Sequence, residues 1–167
     1  MEYVDGNPVC ALVKRNKLDS RGIKLCREGK YAEAVTLLDS AYQFDPNNFG
    51  IWFWLGMAHF QTHDYEKSME FFNKDLNFMA TNEKYAIATM YNGASLYELK
   101  RFDEAIKTLH TAERVCTNPQ NLPFIKVHLA LAYFAKEQYA EAIPYFQAAL
   151  PTYPFLASQL NYCLSKH

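Results

Sequence analysis

Four stretches of this chain repeat one another, and no other feature limits its possible folds so tightly. Tyr31-Ala-Glu-Ala34-Val35, Tyr65-Glu-Lys-Ser68-Met69, Phe102-Asp-Glu-Ala105-Ile106 and Tyr139-Ala-Glu-Ala142-Ile143 share one pattern: an aromatic, two polar or small residues, a small residue, an aliphatic. The small residues lie 34, 37 and 37 positions apart. Four positions beyond each comes a large apolar residue, Leu38, Phe72, Leu109 or Phe146, and seven beyond come Ala41, Asp75, Ala112 and Ala149. That spacing is helical. Twelve positions before each small residue stand Gly22, Gly56, Gly93 and Ala130, and nine before stand Leu25, His59, Leu96 and Tyr133, so a second helix precedes the first.

Turn-forming residues separate these helices. Glu28-Gly29-Lys30, Thr62-His63-Asp64, Leu99-Lys100-Arg101 and Lys136-Glu137-Gln138 lie inside the units, while Asp45-Pro46-Asn47-Asn48 and Asn118-Pro119 lie between them. Each unit therefore reads as helix-turn-helix. The pattern resembles the tetratricopeptide repeat family, in which a bulky residue, a Leu-Gly pair and a Tyr mark the first helix and Ala, Phe, Ala and a terminal Pro mark the second. Trp52, Leu55 and Gly56 match in the second unit, Gly22, Ala34, Ala41 and Pro46 in the first, and Leu129, Tyr133, Ala142, Phe146, Ala149 and Pro154 in the fourth.

The resemblance implies an all-α, right-handed α-solenoid with an N-terminal extension over residues 1–14. Four repeats follow at about 15–48, 49–82, 86–119 and 123–156, and a capping helix over 157–167 carries Leu160 and Leu164 on one face. Asp75, Thr89, Lys126, Arg21 and Asn92 depart from the pattern and loosen the units locally. Three extra residues near Glu83-Lys84-Tyr85, and again near Gln120-Asn121-Leu122, amount to one added helical turn or a longer link.

Charge and cysteine content exclude several functions. Seventeen Lys and Arg against eighteen Asp and Glu leave a net charge of -1, with no drive toward nucleic acid or an anionic membrane. Cys10, Cys26, Cys116 and Cys163 are widely separated and form no CxxC pair, which points to reduced thiols rather than a disulfide framework or zinc knuckle. The first residues lack the basic and apolar regions of a signal peptide, and the longest apolar stretch, Phe49 to Phe60, is too short to span a bilayer. A soluble, cytoplasmic protein without membrane insertion is expected.

Aromatic residues make up 16% of the chain, so they must serve as core or as binding surface. Trp52, Leu55, Leu38, Phe72, Leu109, Tyr133 and Phe146 hold repeat positions that fill the space between paired helices, as do Tyr31, Tyr65, Phe102 and Tyr139 at the start of the second helices, and all are assigned to the core. The resemblance implies that first helices line a concave groove. Their remaining face carries Phe53, Met57 and Phe60 in the second unit, Met90, Ala94 and Tyr97 in the third, and Val127, Leu131 and Phe134 in the fourth. The first unit differs, with Asn16, Asp19, Ile23 and Arg27. A groove polar at one end and apolar along the rest suits an apolar peptide or helix of a client protein. Mutual packing of these side chains, or filling by the chain's own N-terminal segment, would account for the same stripe.

Family members that clamp the C-terminal carboxylate of heat-shock chaperones use Lys, Asn and Arg on successive first helices. The matching positions here include Asn16, Asp19, Phe53, Met57 and Met90, and the clamp is missing. What remains is similar to small stand-alone members that act as chaperones or assembly adaptors.

His59 and His63 lie four apart with Asp64 adjacent, a spacing that can chelate zinc, but the third ligand is missing; a packing and an exposed histidine are expected. His110 and His128 have no carboxylate or thiol beside them in sequence, and no phosphate loop or nucleophile motif occurs. The expected function is non-enzymatic, with no cofactor. A self-associating scaffold that buries the same aromatic face in a homo-oligomer is the alternative, and a metal-dependent hydrolase built on His59 and His63 is a weaker one.

Overall fold

The computed structural model describes residues 8–78 and 83–166, with side chains over 16–77 and 84–166. Every regular element among them is helical: α1 (Pro8–Arg27), α2 (Tyr31–Phe44), α3 (Phe49–Gln61), α4 (Tyr65–Phe78), α5 (Glu83–Glu98), α6 (Phe102–Val115), α7 (Leu122–Ala135), α8 (Tyr139–Ala149) and α9 (Ala157–Lys166), with 3-10 turns at Pro119–Asn121 and Pro154–Leu156. The four aromatics expected to open second helices are the first residues of α2, α4, α6 and α8. The helix assigned to the first repeat already begins at Pro8, within the expected N-terminal extension.

Two compact units divide at Phe78 and Met79. In the first, α1 pairs with α2 and α3 with α4, while α3 packs on both α1 and α2. In the second, α5 pairs with α6 and α7 with α8, α7 packs on α5 and α6, and α9 closes on α8. First helices therefore lie side by side within each unit.

The repeated columns are the contact surfaces. Ala34, Ser68, Ala105 and Ala142 are fully buried, as are Leu38, Phe72, Leu109 and Phe146. A small residue brings the backbones of a pair together and the large residue one turn later fills the space beside it. At the small position of the second repeat, the Ser68 hydroxyl donates to the Gly56 carbonyl across the pair at 3.0 Å. Gly22, Gly56 and Gly93 stand against Leu38, Phe72 and Leu109, where an added Cβ would fall 2.6, 2.8 and 2.6 Å from the nearest side-chain carbon. Asp75 and Asn92, departures from the pattern, are buried in their units.

Each tight turn reverses through one left-handed residue: Gly29, His63, Lys100 and Glu137 have φ between 59° and 76°. The next residue's N–H then reaches back five positions, from Lys30 to Leu25, Asp64 to His59, Arg101 to Leu96 and Gln138 to Tyr133, at 2.9–3.0 Å. This closes the helix end with a Schellman motif. Between repeats the chain uses Asx caps, with Asn48 Oδ1 accepting from Gly50 N at 3.1 Å and Asn118 Oδ1 from Gln120 N at 3.0 Å. The added residues near Glu83 lengthen α5 to 16 residues against 13 in α3; those near Gln120 form a 3-10 turn ahead of α7.

Two residues assigned to the core, Trp52 and Tyr133, pack against it without being fully covered. Trp52 is only half-buried, because its indole N–H extends to the Pro46 carbonyl at 3.2 Å over the link between α2 and α3. Tyr133 is half-buried too, its ring stacked on Tyr145 with centroids 5.8 Å apart. On α9 the buried face is Leu160 and Cys163, whereas Leu164 is 52% exposed. Leu164 lies about 100° from Cys163 and on the other side of Leu160, so a buried face centred between Leu160 and Cys163 leaves it at the edge of the interface.

Candidate functional site

The nine residues expected to line a groove all lie on first helices: Ile23 on α1, Phe53, Met57 and Phe60 on α3, Met90 and Tyr97 on α5, Val127, Leu131 and Phe134 on α7. Phe53, Met90 and Val127 are buried, at 6, 4 and 6% exposure. Ile23, Met57, Phe60, Tyr97, Leu131 and Phe134 are half-buried. The stripe thus has two layers. Phe53 meets the core edge-on at Phe72, with ring centroids 6.1 Å apart. Ile23 packs on the buried core of the first unit, and Leu131 and Phe134 on that of the second, while all six half-buried side chains keep part of their surface exposed.

The aromatics that open the second helices share in this layer. Phe60 meets Tyr65 at 5.6 Å, Tyr97 meets Phe102 at 5.8 Å and Phe134 meets Tyr139 at 5.7 Å, each pair five residues apart around its turn. Sequence reasoning set Tyr65, Phe102 and Tyr139 aside as core, yet all three are half-buried. The constant five-residue interval was the signal that could have paired them. Phe134 is also met by Tyr162 of α9 at 5.7 Å.

None of the nine side chains is charged. The Tyr97 phenol is held above its usual range by burial and then by the Glu98 carboxylate, so it stays neutral at physiological pH. The polar end on α1 has structural duties. Asp19 accepts from the Asn48 side-chain amide at 2.8 Å, which ties α1 to the residue that caps α3. The Arg27 guanidinium lies 5.3 Å from the centre of the Trp54 ring, a cation–π contact.

His59 and His63 do not converge. His59 is buried, stacked on Phe71 at 5.7 Å, with Asp39 Oδ1 3.2 Å from Nε2 and Asp64 Oδ2 3.5 Å from Nδ1. A carboxylate on each ring nitrogen leaves no nitrogen to share with His63, which is exposed and bonds the Tyr65 hydroxyl at 2.7 Å. Among the described residues no group of three or more His, Cys, Asp or Glu could hold a metal ion. His110 does have a carboxylate near it: Glu113, one turn along α6, is 3.5 Å from Nδ1. His128 is held below its usual range by burial, against a 2.8 Å hydrogen bond to the Phe124 carbonyl. No helix of the described residues is long and apolar enough to cross a membrane.

No curated protein is similar enough in sequence to match the chain. Solved structures share its fold. MamA from Desulfovibrio magneticus RS-1, residues 41 to its end, is 20% identical with a TM-score of 0.72, over 92% of this chain and 85% of that one. Pseudomonas aeruginosa PilF is 22% identical with a TM-score of 0.66, over 93% of this chain and 70% of its own. A chain of the APC/C hetero-tetramer Cut9–Hcn1 is 21% identical with a TM-score of 0.73, and the match covers 90% of this chain but 30% of that one. Residues 25–89 and 120–157, together more than half of the sequence, match the tetratricopeptide repeat. With paired helices repeating at that family's spacing, the chain belongs to the tetratricopeptide repeat family and has its α-solenoid fold, that of a protein–protein interaction module.

Proposed function

We propose that the protein is a non-enzymatic adaptor or chaperone that holds an apolar peptide or helix of a client protein on the inner faces of its first helices. The observation that carries this reading is the uncharged, half-buried layer of Ile23, Met57, Phe60, Tyr97, Leu131 and Phe134 above a buried base. Half-buried apolar side chains on rigid helices lose little conformational freedom when a ligand covers them, and such anchors dominate binding energy where they are fully desolvated. Because the lining is uncharged, the complex should persist as salt rises.

A photo-crosslinking residue placed at Met57 or at Leu131, with the exposed Lys107 on α6 as control, tests this in native lysate. Cross-links from either first-helix position to an apolar client segment, with none from Lys107, support the reading. Equal labelling from all three positions refutes it.

Self-association has its own observation, the outward Phe155, Leu164 and Tyr162 near the C-terminal helix, at 71, 52 and 45% exposure. On that reading Leu164→Ser converts an oligomer to a monomer in size-exclusion chromatography with light scattering.

A further inference from the structure

Two second helices dock onto the next hairpin in the same way. α2 sets Asp39 against His59 of α3, whose ring lies flat on Phe71 of α4. α6 sets His110 against the Tyr133 hydroxyl of α7 at 2.9 Å, and that ring is stacked on Tyr145 of α8. Asp39 and His110 each stand five residues beyond the small residue of their helix, and the two ring pairs hold matching positions in their hairpins. The second and fourth hairpins therefore each have a seat of two side chains, one per helix, that receives the preceding second helix. At the tip of the fourth hairpin Lys136 pairs with Asp103 of α6.

The matching seat of the first hairpin is Leu25 on α1 and Leu37 on α2. Here it opens into a cleft of about 460 Å³, rimmed by Arg21 and Lys24 of α1, Glu28 of the turn that follows and Glu33 of α2. The positions of Arg21 and Lys24 hold Leu55 and Ala58 in the second hairpin and Leu129 and Ala132 in the fourth, all four buried beneath a docked helix. In the first hairpin they are charged and exposed.

We propose that this cleft is a docking site for an amphipathic helix of a partner protein, laid on α1 and α2 as α6 is laid on α7 and α8. The charges specify its chemistry. Glu28 stands where the fourth hairpin has Lys136, so where α6 brings Asp103 the partner brings a Lys or Arg in its first turn. Seven residues later, in place of His110, an aliphatic side chain sits on Leu25 and Leu37. One turn farther an acidic residue faces Arg21 and Lys24. Glu28 already pairs with Lys24 at 3.8 Å and Lys30 at 3.0 Å, so the partner's base joins an exposed network.

No second helix of a second copy fits the pattern. At the two key positions α2 offers Ala32 and Asp39, α4 Glu66 and Asn73, α6 Asp103 and His110, and α8 Ala140 and Gln147. No base is followed by an aliphatic in any of them.

The test uses the intact protein and a labelled, alanine-based 18-residue helical peptide with Lys in its first turn, Leu seven positions on and Glu at the tenth and eleventh positions after the Lys. Fluorescence anisotropy should show saturable binding that weakens about fivefold in Glu28→Lys, the effect of one partly exposed ion pair. A peptide with Glu in place of its Lys should bind that variant better than it binds the unaltered protein. Leu37→Ser should weaken both peptides, with circular dichroism confirming retained helix. No saturable binding, or equal affinity for the unaltered protein and Glu28→Lys, would overturn the proposal. So would binding lost in Phe60→Ser but untouched in Leu37→Ser, which places the peptide on the first-helix face. Self-association abolished by Glu28→Lys would assign the cleft to a second copy and overturn it as well.

Discussion

Adding one carbon at the centre of a helix pair tests how these repeats hold together. At Gly93 a new Cβ would lie 2.6 Å from Leu109 Cγ and 3.3 Å from the Leu109 backbone nitrogen. Ordinary carbon contacts are about 3.5–4.0 Å, so roughly an ångström must open. A rotamer change in Leu109 cannot move its backbone, so α5 and α6 must separate. Overpacking of this kind costs on the order of 1–3 kcal/mol, against which Gly→Ala returns about 1 kcal/mol of helix propensity. Gly93→Ala should therefore destabilise by up to about 2 kcal/mol. At Gly56 the obstacle is the Phe72 ring, at 2.8–3.0 Å with no backbone atom among the three nearest. The fourth repeat already combines a methyl at this position with a Phe in the facing column, Ala130 and Phe146, both fully buried. Gly56→Ala should accordingly stay within about 1 kcal/mol of the unaltered protein once propensity is returned. Urea unfolding followed by far-ultraviolet circular dichroism compares the two variants. A Gly93→Ala protein more stable than the original would refute close approach as the role of this glycine. A Gly56→Ala protein weaker than Gly93→Ala would refute the comparison with the fourth repeat.

The left-handed turn residues make an independent prediction: Lys100→Gly and Glu137→Gly should each stabilise by about 0.5–1 kcal/mol in the same assay, while Gly29→Ala, whose Cβ meets nothing within 4 Å, should cost about 1 kcal/mol from backbone strain alone. His128 has its folded-state pKa depressed by burial, so below about pH 6.5 the unfolded chain binds more protons and this contribution to stability is lost as pH falls. Replacing it with Gln should flatten the dependence of the urea midpoint between about pH 7.5 and 5.5. Burial pushes the Cys26 thiol up to about 11, so iodoacetamide at about pH 8 should label it far more slowly in the folded protein than in urea, read by mass spectrometry of its peptide.

The family and the helix pairs were legible because the repeat is a local code. The spacing of Ala34, Leu38 and Ala41 and its three echoes depends only on helical geometry, and a small residue facing a large one means the same thing in every unit. Turn positions were legible too, although only Gly29 announced its left-handed backbone; His63, Lys100 and Glu137 adopt it because the Schellman closure outweighs their strain. The apolar stripe on the first helices was half legible. Periodicity placed nine residues on one face of the first helices, but burial depends on distance from the neighbouring helix, and that distance separates buried Phe53, Met90 and Val127 from half-buried Met57, Phe60 and Leu131. Sequence also could not pair Asp39 with His59 or His110 with Tyr133, because such contacts cross between hairpins at separations that no local spacing encodes. The sequence by itself determined which residues face inward within a helix pair, since a pair is built from neighbours along the chain. Only the tertiary structure decided which faces are then covered by the next hairpin, since that depends on how one pair stacks on another, and it is this that leaves Leu25 and Leu37 beside an open cleft.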